Sequence, residues 1–231
     1  MPDIAERERL MTLDVATFDR SGTGWRLYAD AKCFSQAAEL IEGYLDGRAS
    51  LRADDQSILR YHAGQMLADA NRSDDAVSEL RVVLALEPQR PHPDMGWTQY
   101  IRGFIAFLMQ DRPALDKAVL ELDIYAKAES GKVQAGDQIN LNALHGLQRC
   151  YGKDYAFAYS SADCRDFAEV DRLNQVLDKP CRLTTPGRAR SRSSRTRPRR
   201  ARWCDRSFRR TRRTVAGSAR IPAGRCGRRA E

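Results

Sequence analysis

Apolar positions along the chain recur at steps of three and four residues. From Ile58 to Ala70 the residues Ile58, Leu59, His62, Ala63, Met66, Leu67 and Ala70 keep that step, which places them on one face of a helix. Asn71-Arg72-Ser73-Asp74 interrupts the pattern, and Ser73 or Asp74 is expected to cap the next helix by accepting its free N–H groups. Ala76, Val77, Leu80, Val83 and Leu84 resume the period as far as Pro88, which cannot extend a helix. Pro91-His92-Pro93 reads as a stiff connector. Trp97, Ile101, Phe104, Ile105 and Leu108 then outline a strongly apolar helix. Asp111 is placed to cap the following one, where Pro113 suits an early position and Leu115, Ala118, Val119, Leu122 and Tyr125 form the apolar face. Ser130-Gly131 ends it. Ile139, Leu144 and Leu147 predict another helix to about Arg149, and Phe167, Val170, Leu173 and Leu177 predict a last one. No segment of useful length alternates apolar and polar residues, so the expected fold class is all-α.

Helix pairs joined by short turns imply an internal repeat. Aligning the small residue of each second helix pairs Ala76 with Ala118, with Ala37 or Ala38 as an earlier equivalent. Within residues 57–90, Gly64, Leu67, Ala76, Leu80 and Pro88 stand at the eighth, eleventh, twentieth, twenty-fourth and thirty-second positions. This pattern resembles the tetratricopeptide repeat, a helix–turn–helix unit of about 34 residues. A second match begins at Gln99, with Ile105, Ala106, Met109, Ala118 and Leu122 in register after the insertion Pro91–Thr98. Arg60 and Arg102 stand where the family has an early Trp. A first unit matches in its second helix, through Gln36, Ala37, Ala38, Leu40, Ile41, Tyr44 and Leu45.

The resemblance implies antiparallel helix pairs stacked as a short, right-handed, tetratricopeptide-like solenoid within residues 1–179. Its units would lie at roughly 18–51, 57–90 and 99–130, with capping helices over 137–178. It further implies a concave groove lined by Tyr61, Gln65 and Asp69 from one unit and by Tyr100, Phe107, Gln110 and Asp111 from the next. The expected function is therefore non-enzymatic, the binding of a peptide or protein partner, with the aromatics as anchors and the acids favouring a basic ligand. A generic helical bundle would show the same stripes, with Tyr100 and Phe107 packed against the next layer.

Charge divides the chain in two. The net charge is +8, but residues 1–179 carry −8 and residues 180–231 carry +16, so an acidic body bears a short basic appendage. All 18 basic residues of that appendage are Arg, and Lys, Asn, Gln, His, Tyr and Met are missing from it. Apolar residues there are too sparse to offset the entropy of folding, and the expectation is a disordered Arg-rich tail. One reading makes it a nucleic-acid arm, with Arg209, Arg210, Arg212 and Arg213 on phosphates and Trp203 and Phe208 stacking on bases. The other makes it an out-of-frame or spurious extension of a GC-rich gene, which the all-Arg composition favours.

No Walker loop, G-x-S-x-G elbow, H-E-x-x-H or G-x-G-x-x-G occurs in the chain, and no cofactor or metal is expected. Ser21-Gly22-Thr23-Gly24 reads as a flexible entry to the first helix. His92-Pro93-Asp94 matches the tripeptide of J-domain co-chaperones, but the helix before it is not basic. Asp54-Asp55 and Asp74-Asp75 are explained as acids at helix starts. His62 is expected to be a hydrogen-bonded core residue and His145 to be exposed. The six cysteines show no paired metal-ligand spacing, and Cys33 reads as a small packing residue. Cys150 and Cys164 flank the aromatic run Tyr151, Tyr155, Phe157 and Tyr159. Because MPDIAERERL is not a signal peptide, the expectation is a cytoplasmic protein with these two as buried thiols. A mistaken start would instead make it an exported protein in which they form a bridge. No stretch reaches the ~20 apolar residues of a membrane span.

Overall fold

A computed structural model describes residues 4–128 and 135–177. Its order is α1 (Ile4–Met11), α2 (Val15–Phe18), α3 (Arg26–Asp30), α4 (Phe34–Asp46), α5 (Ala53–Asp69), α6 (Ser73–Leu86), a 3-10 turn (Glu87–Gln89), α7 (Met95–Leu108), α8 (Arg112–Ala128), α9 (Ala135–Arg149), α10 (Tyr155–Ser160) and α11 (Phe167–Leu177). The fold is all-α, with no strand among the described residues. Each long helix packs on its successor, so α3/α4, α5/α6 and α7/α8 form hairpins and α9 pairs with α11. The expected end at Ser130-Gly131 and the whole segment 180–231 lie outside the described residues.

Three hairpin turns share one geometry. Lys32, Asn71 and Gln110 hold the left-handed conformation at φ 60°, 60° and 55°. The N–H of the next residue reaches back to close the helix end, Cys33 onto Tyr28 O at 2.8 Å, Arg72 onto Leu67 O at 2.9 Å and Asp111 onto Ala106 O at 2.8 Å. That is the Schellman closure, which satisfies a carbonyl the helix would otherwise leave open. The turns stand 39 positions apart, from 32 to 71 to 110. Tyr61 and Tyr100, and Gly64 and Gly103, are therefore equivalents, and Ala76 corresponds to Leu115 rather than to Ala118. The small residue shifts because Gly103 receives a second neighbour. A Cβ there would meet Leu144 of α9 at 2.7 Å and Ala118 at 3.3 Å, whereas Gly64 meets Leu80 at 3.0 Å.

Two local expectations change. The side chains of Ser73 and Asp74 do not cap α6, whose N-cap is Arg72. The Schellman closure at Asn71 brings the chain into the helix one residue earlier, leaving Asp74 and Asp75 in the first turn, with Arg72 Nε on Asp75 at 2.7 Å. Asp111 does cap α8, its carboxylate accepting from Ala114 N at 3.0 Å, and Asp94 caps α7 through Trp97 N at 3.1 Å. Ser21–Gly24 is a defined turn, not a flexible entry. Thr23 Oγ1 lies 2.6 Å from Thr17 O and 2.8 Å from Arg20 O, and Gly22 and Gly24 take φ values of 74° and 51°.

That turn sets Trp25 and Arg26 against α5. Asp19 accepts hydrogen bonds from Trp25 Nε1 and Arg26 Nη2, both at 3.0 Å, and sits 3.0 Å from His62 Nδ1. His62 is thus a buried, partnered core residue, as its position on the apolar stripe implies. Burial pushes the Asp19 carboxyl up, but His62, Arg26 and Trp25 outweigh it and hold it below its ordinary value. A β-carbon on Gly24 would lie 1.9 Å from the Phe18 carbonyl oxygen, a backbone atom that cannot swing aside. Gly24→Ala is therefore expected to destabilise the fold by about 2–4 kcal/mol. Urea denaturation monitored by circular dichroism checks this, and a change within error would remove the turn from the structural constraints.

Candidate functional site

The residues singled out on α5 and α7 fall on one shared face, because four-residue steps on α5 (Tyr61, Gln65, Asp69) stay in line along the helix. Tyr61 and Tyr100, equivalent in the two units, touch through their hydroxyls at 2.8 Å. Their rings meet edge to face at 5.8 Å, and Trp97 meets Tyr61 the same way at 4.8 Å. Phe104 and Phe107 continue the aromatic surface along α7. Tyr61, Tyr100 and Phe107 are all buried, and Gln65 and Asp69 are half-buried. Gln110 and Asp111 do not join them. Gln110 turns its side chain back onto Phe107 O at 3.0 Å, and Asp111 serves as the α8 cap.

What covers this face is α10, which crosses from α9 onto α5. Asp154 caps it through Phe157 N at 2.8 Å, and one side of its turn and a half carries Tyr155, Ala158 and Tyr159. Tyr155 stacks on Phe104 at 4.6 Å, and its hydroxyl accepts a hydrogen bond from Gln65 Nε2 at 3.3 Å. Tyr159 stacks on Tyr155 at 5.2 Å. Arg165 is buried over the Tyr159 ring at 4.4 Å, donating to Tyr159 O at 3.1 Å and to Asn142 Oδ1 at 3.3 Å. A β-carbon on Gly146 would lie 2.3 Å from Arg165 Cγ, so the glycine makes room for that stem.

The chain carrying α10 is closed at its base by a disulfide between Cys150 and Cys164, with Cα atoms 5.7 Å apart. This corrects the expectation of two buried thiols. The expectation followed from compartment alone, whereas the packing of α9 against α11 brings the two ends of the segment together. Arg149 Nη1 adds a bond to Cys164 O at 3.0 Å. Tyr155, Tyr159 and Arg165 join the face beyond the expected residues. The sequence signal for the two tyrosines is the four-residue spacing of Tyr151, Tyr155 and Tyr159 between two cysteines, and Arg165 has none.

Burial pushes the phenols of Tyr61, Tyr100 and Tyr155 well above their ordinary value, so they remain neutral hydrogen-bonding groups. Burial also pushes Tyr159 up, but the Arg165 cation and hydrogen bonding with Tyr61, Tyr100 and Gln65 outweigh it and bring the phenol below its ordinary value. Asp69, at the end of α5 beside Tyr155, is raised to about 6 by burial. Among the described residues no group of three or more His, Cys, Asp and Glu is placed to hold a metal ion, and no helix is long and apolar enough to cross a membrane. Arg209, Arg210, Arg212 and Arg213 lie outside the described residues. Comparison with protein-family models, with curated proteins and with solved structures found no match to this chain.

The raised Asp69 has a consequence for stability. The folded chain keeps a proton that the unfolded chain releases between 3.8 and about 6, so stability falls as pH rises through that window. Asp69→Asn is expected to stabilise the protein by about 1–2 kcal/mol above pH 7, allowing for the exposed part of the side chain, and to leave it unchanged below about pH 4. Urea titrations at the two pH values measure this. An equal gain at both would assign the effect to packing instead of charge.

Proposed function

We propose that this chain is a helical-repeat interaction module, similar in kind to tetratricopeptide proteins but with a unit of 39 residues between turns. It acts without catalysis, binding a peptide or protein partner on the face of α5 and α7. The observation that carries the reading is α10 itself. The face already accepts a short helix in cis, with stacked aromatic rings at its centre and Gln65 supplying a hydrogen bond. Buried aromatics that receive an aromatic anchor, ringed by adaptable polar groups, are the usual makeup of a recognition hot spot.

The partner chemistry follows. A helix with two aromatic residues one turn apart would reproduce Tyr155 and Tyr159, and a basic residue beyond them would meet Asp69, whose charge is otherwise costly. The Cys150–Cys164 bond supports an oxidising compartment, in favour of an exported protein over a cytoplasmic one. A displayed library of helical peptides, selected against the full chain carrying Tyr155→Ala and Tyr159→Ala, tests the reading. Enriched sequences are expected to share an aromatic pair at four-residue spacing. Adding Gln65→Ala is expected to weaken them at least tenfold, roughly the cost of one hydrogen bond to a buried group. Binders without aromatics, or binders indifferent to Gln65, would overturn it.

A further inference from the structure

The segment that carries α10 interrupts the repeat at a particular place. Tight left-handed turns stand at Lys32, Asn71 and Gln110, and the next position in that 39-residue register is Arg149. There the chain makes no such turn. It leaves α9, runs through α10 and returns to α11 at Phe167. Cys150 occupies the position that Cys33, Arg72 and Asp111 hold in the other hairpins, and its bond to Cys164 brings the chain back within 5.7 Å of where it left. A covalent link thus stands where the other hairpins have a turn, at the base of the α9–α11 pair, while an insertion reaches across to α5.

We infer that the insertion is an intramolecular competitor for the partner, tethered by the Cys150–Cys164 bond and released when a dithiol reductant opens it. The inference rests on the interaction face proposed above and names its regulation. While the bond is closed, α10 is presented to α5 at high effective concentration, and a free peptide must compete with an occupant that loses little entropy on binding. Opening the bond returns conformational freedom to the insertion and lowers that effective concentration.

Access has a direction. Cys164 is fully buried and Cys150 only half-buried, so a reductant thiolate attacks Cys150 Sγ. The S–S bond breaks, its electron pair leaves on Cys164 Sγ, and that sulfur takes a proton. The reductant's second thiol then attacks the mixed disulfide, releasing Cys150 as a thiol and leaving the reductant as its own disulfide. Two electrons and two protons pass to the protein. The polar contacts that remain are Arg149 to Cys164 O, Arg165 to Tyr159 O and to Asn142 Oδ1, and Gln65 to the Tyr155 hydroxyl, the last two long at 3.3 Å.

The test uses the full chain and a labelled peptide of residues 151–163, the insertion supplied in trans, read by fluorescence anisotropy. The Cys150→Ala, Cys164→Ala double variant is expected to bind the peptide at least tenfold more tightly than the parent, and dithiothreitol is expected to bring the parent to the same affinity. Equal affinity for parent and double variant overturns the inference. A Tyr155→Ala, Tyr159→Ala variant with the cysteines intact empties the face without touching the bond. Peptide binding by that variant but not by the cysteine variant overturns the gate and leaves the face standing, and binding by neither overturns both. Hydrogen exchange on the cysteine variant gives a readout independent of the peptide. Amides of Ala156–Ser160 are expected to exchange at least tenfold faster while those of α5 and α7 keep their protection. Unchanged exchange in α10, or loss of protection in all three helices, would make the bond a plain staple and overturn the inference.

Discussion

The covering of the aromatic face depends on the burial of one ring. Tyr155 stacks on Phe104 while its hydroxyl meets Gln65, and in doing so it joins the third helix pair and the segment after α9 back to α5. Without it, Phe104 and Phe107 would lose the ring packed against them, and aromatic side chains of this size bury roughly 150–250 Å² each. Repeat architectures link each unit only to its neighbours. Tyr155 adds a link between residues 90 positions apart in sequence, from 65 to 155.

The helices are legible because their apolar residues recur at the helical step and because Pro88 and Asp111 mark ends by chemistry that depends on no distant contact. The period is less so. Lys32, Asn71 and Gln110 do the same backbone task with three unlike side chains, and of these only Asn favours the left-handed conformation. Small residues drew the alignment instead, and Ala118 is small for a different reason from Ala76, since it faces Gly103 beside Leu144. Of the residues expected to line a groove, Tyr61, Gln65, Asp69, Tyr100 and Phe107 share a face. Gln110 and Asp111 are withdrawn from it by the demands of the α7–α8 turn. The occupant could not be read off the chain, because α10 meets α5 only through the path that α9 and α11 impose.

Two places along α5 show how differently a carboxylate can be lodged. Asp19, against His62 near its middle, is buried but faces an imidazole, a guanidinium and an indole N–H, and it stays ionised. Asp69 at its end is raised to about 6 with burial as the only cause, and helix carbonyls ending there add nothing favourable. α5 therefore packs a compensated carboxylate from the end of α2 against its middle and carries an uncompensated one of its own beside the aromatic face. That asymmetry separates a group that holds structure from one whose charge burial makes costly.

The stem of Arg165 runs through the space a side chain at 146 would fill, 2.3 Å from the position of a β-carbon. Its guanidinium then covers Tyr159 and bonds to Tyr159 O, so a vacancy on α9 decides how the α10 insertion is clamped. Descent has to treat the two positions as one character. A lineage that acquired Ala or Ser at 146 would first have to shorten or lose the arginine at 165, and a lineage that kept the arginine would be barred from every side chain at 146. Glycine and arginine, the two residues least alike in size and charge, would be inherited together.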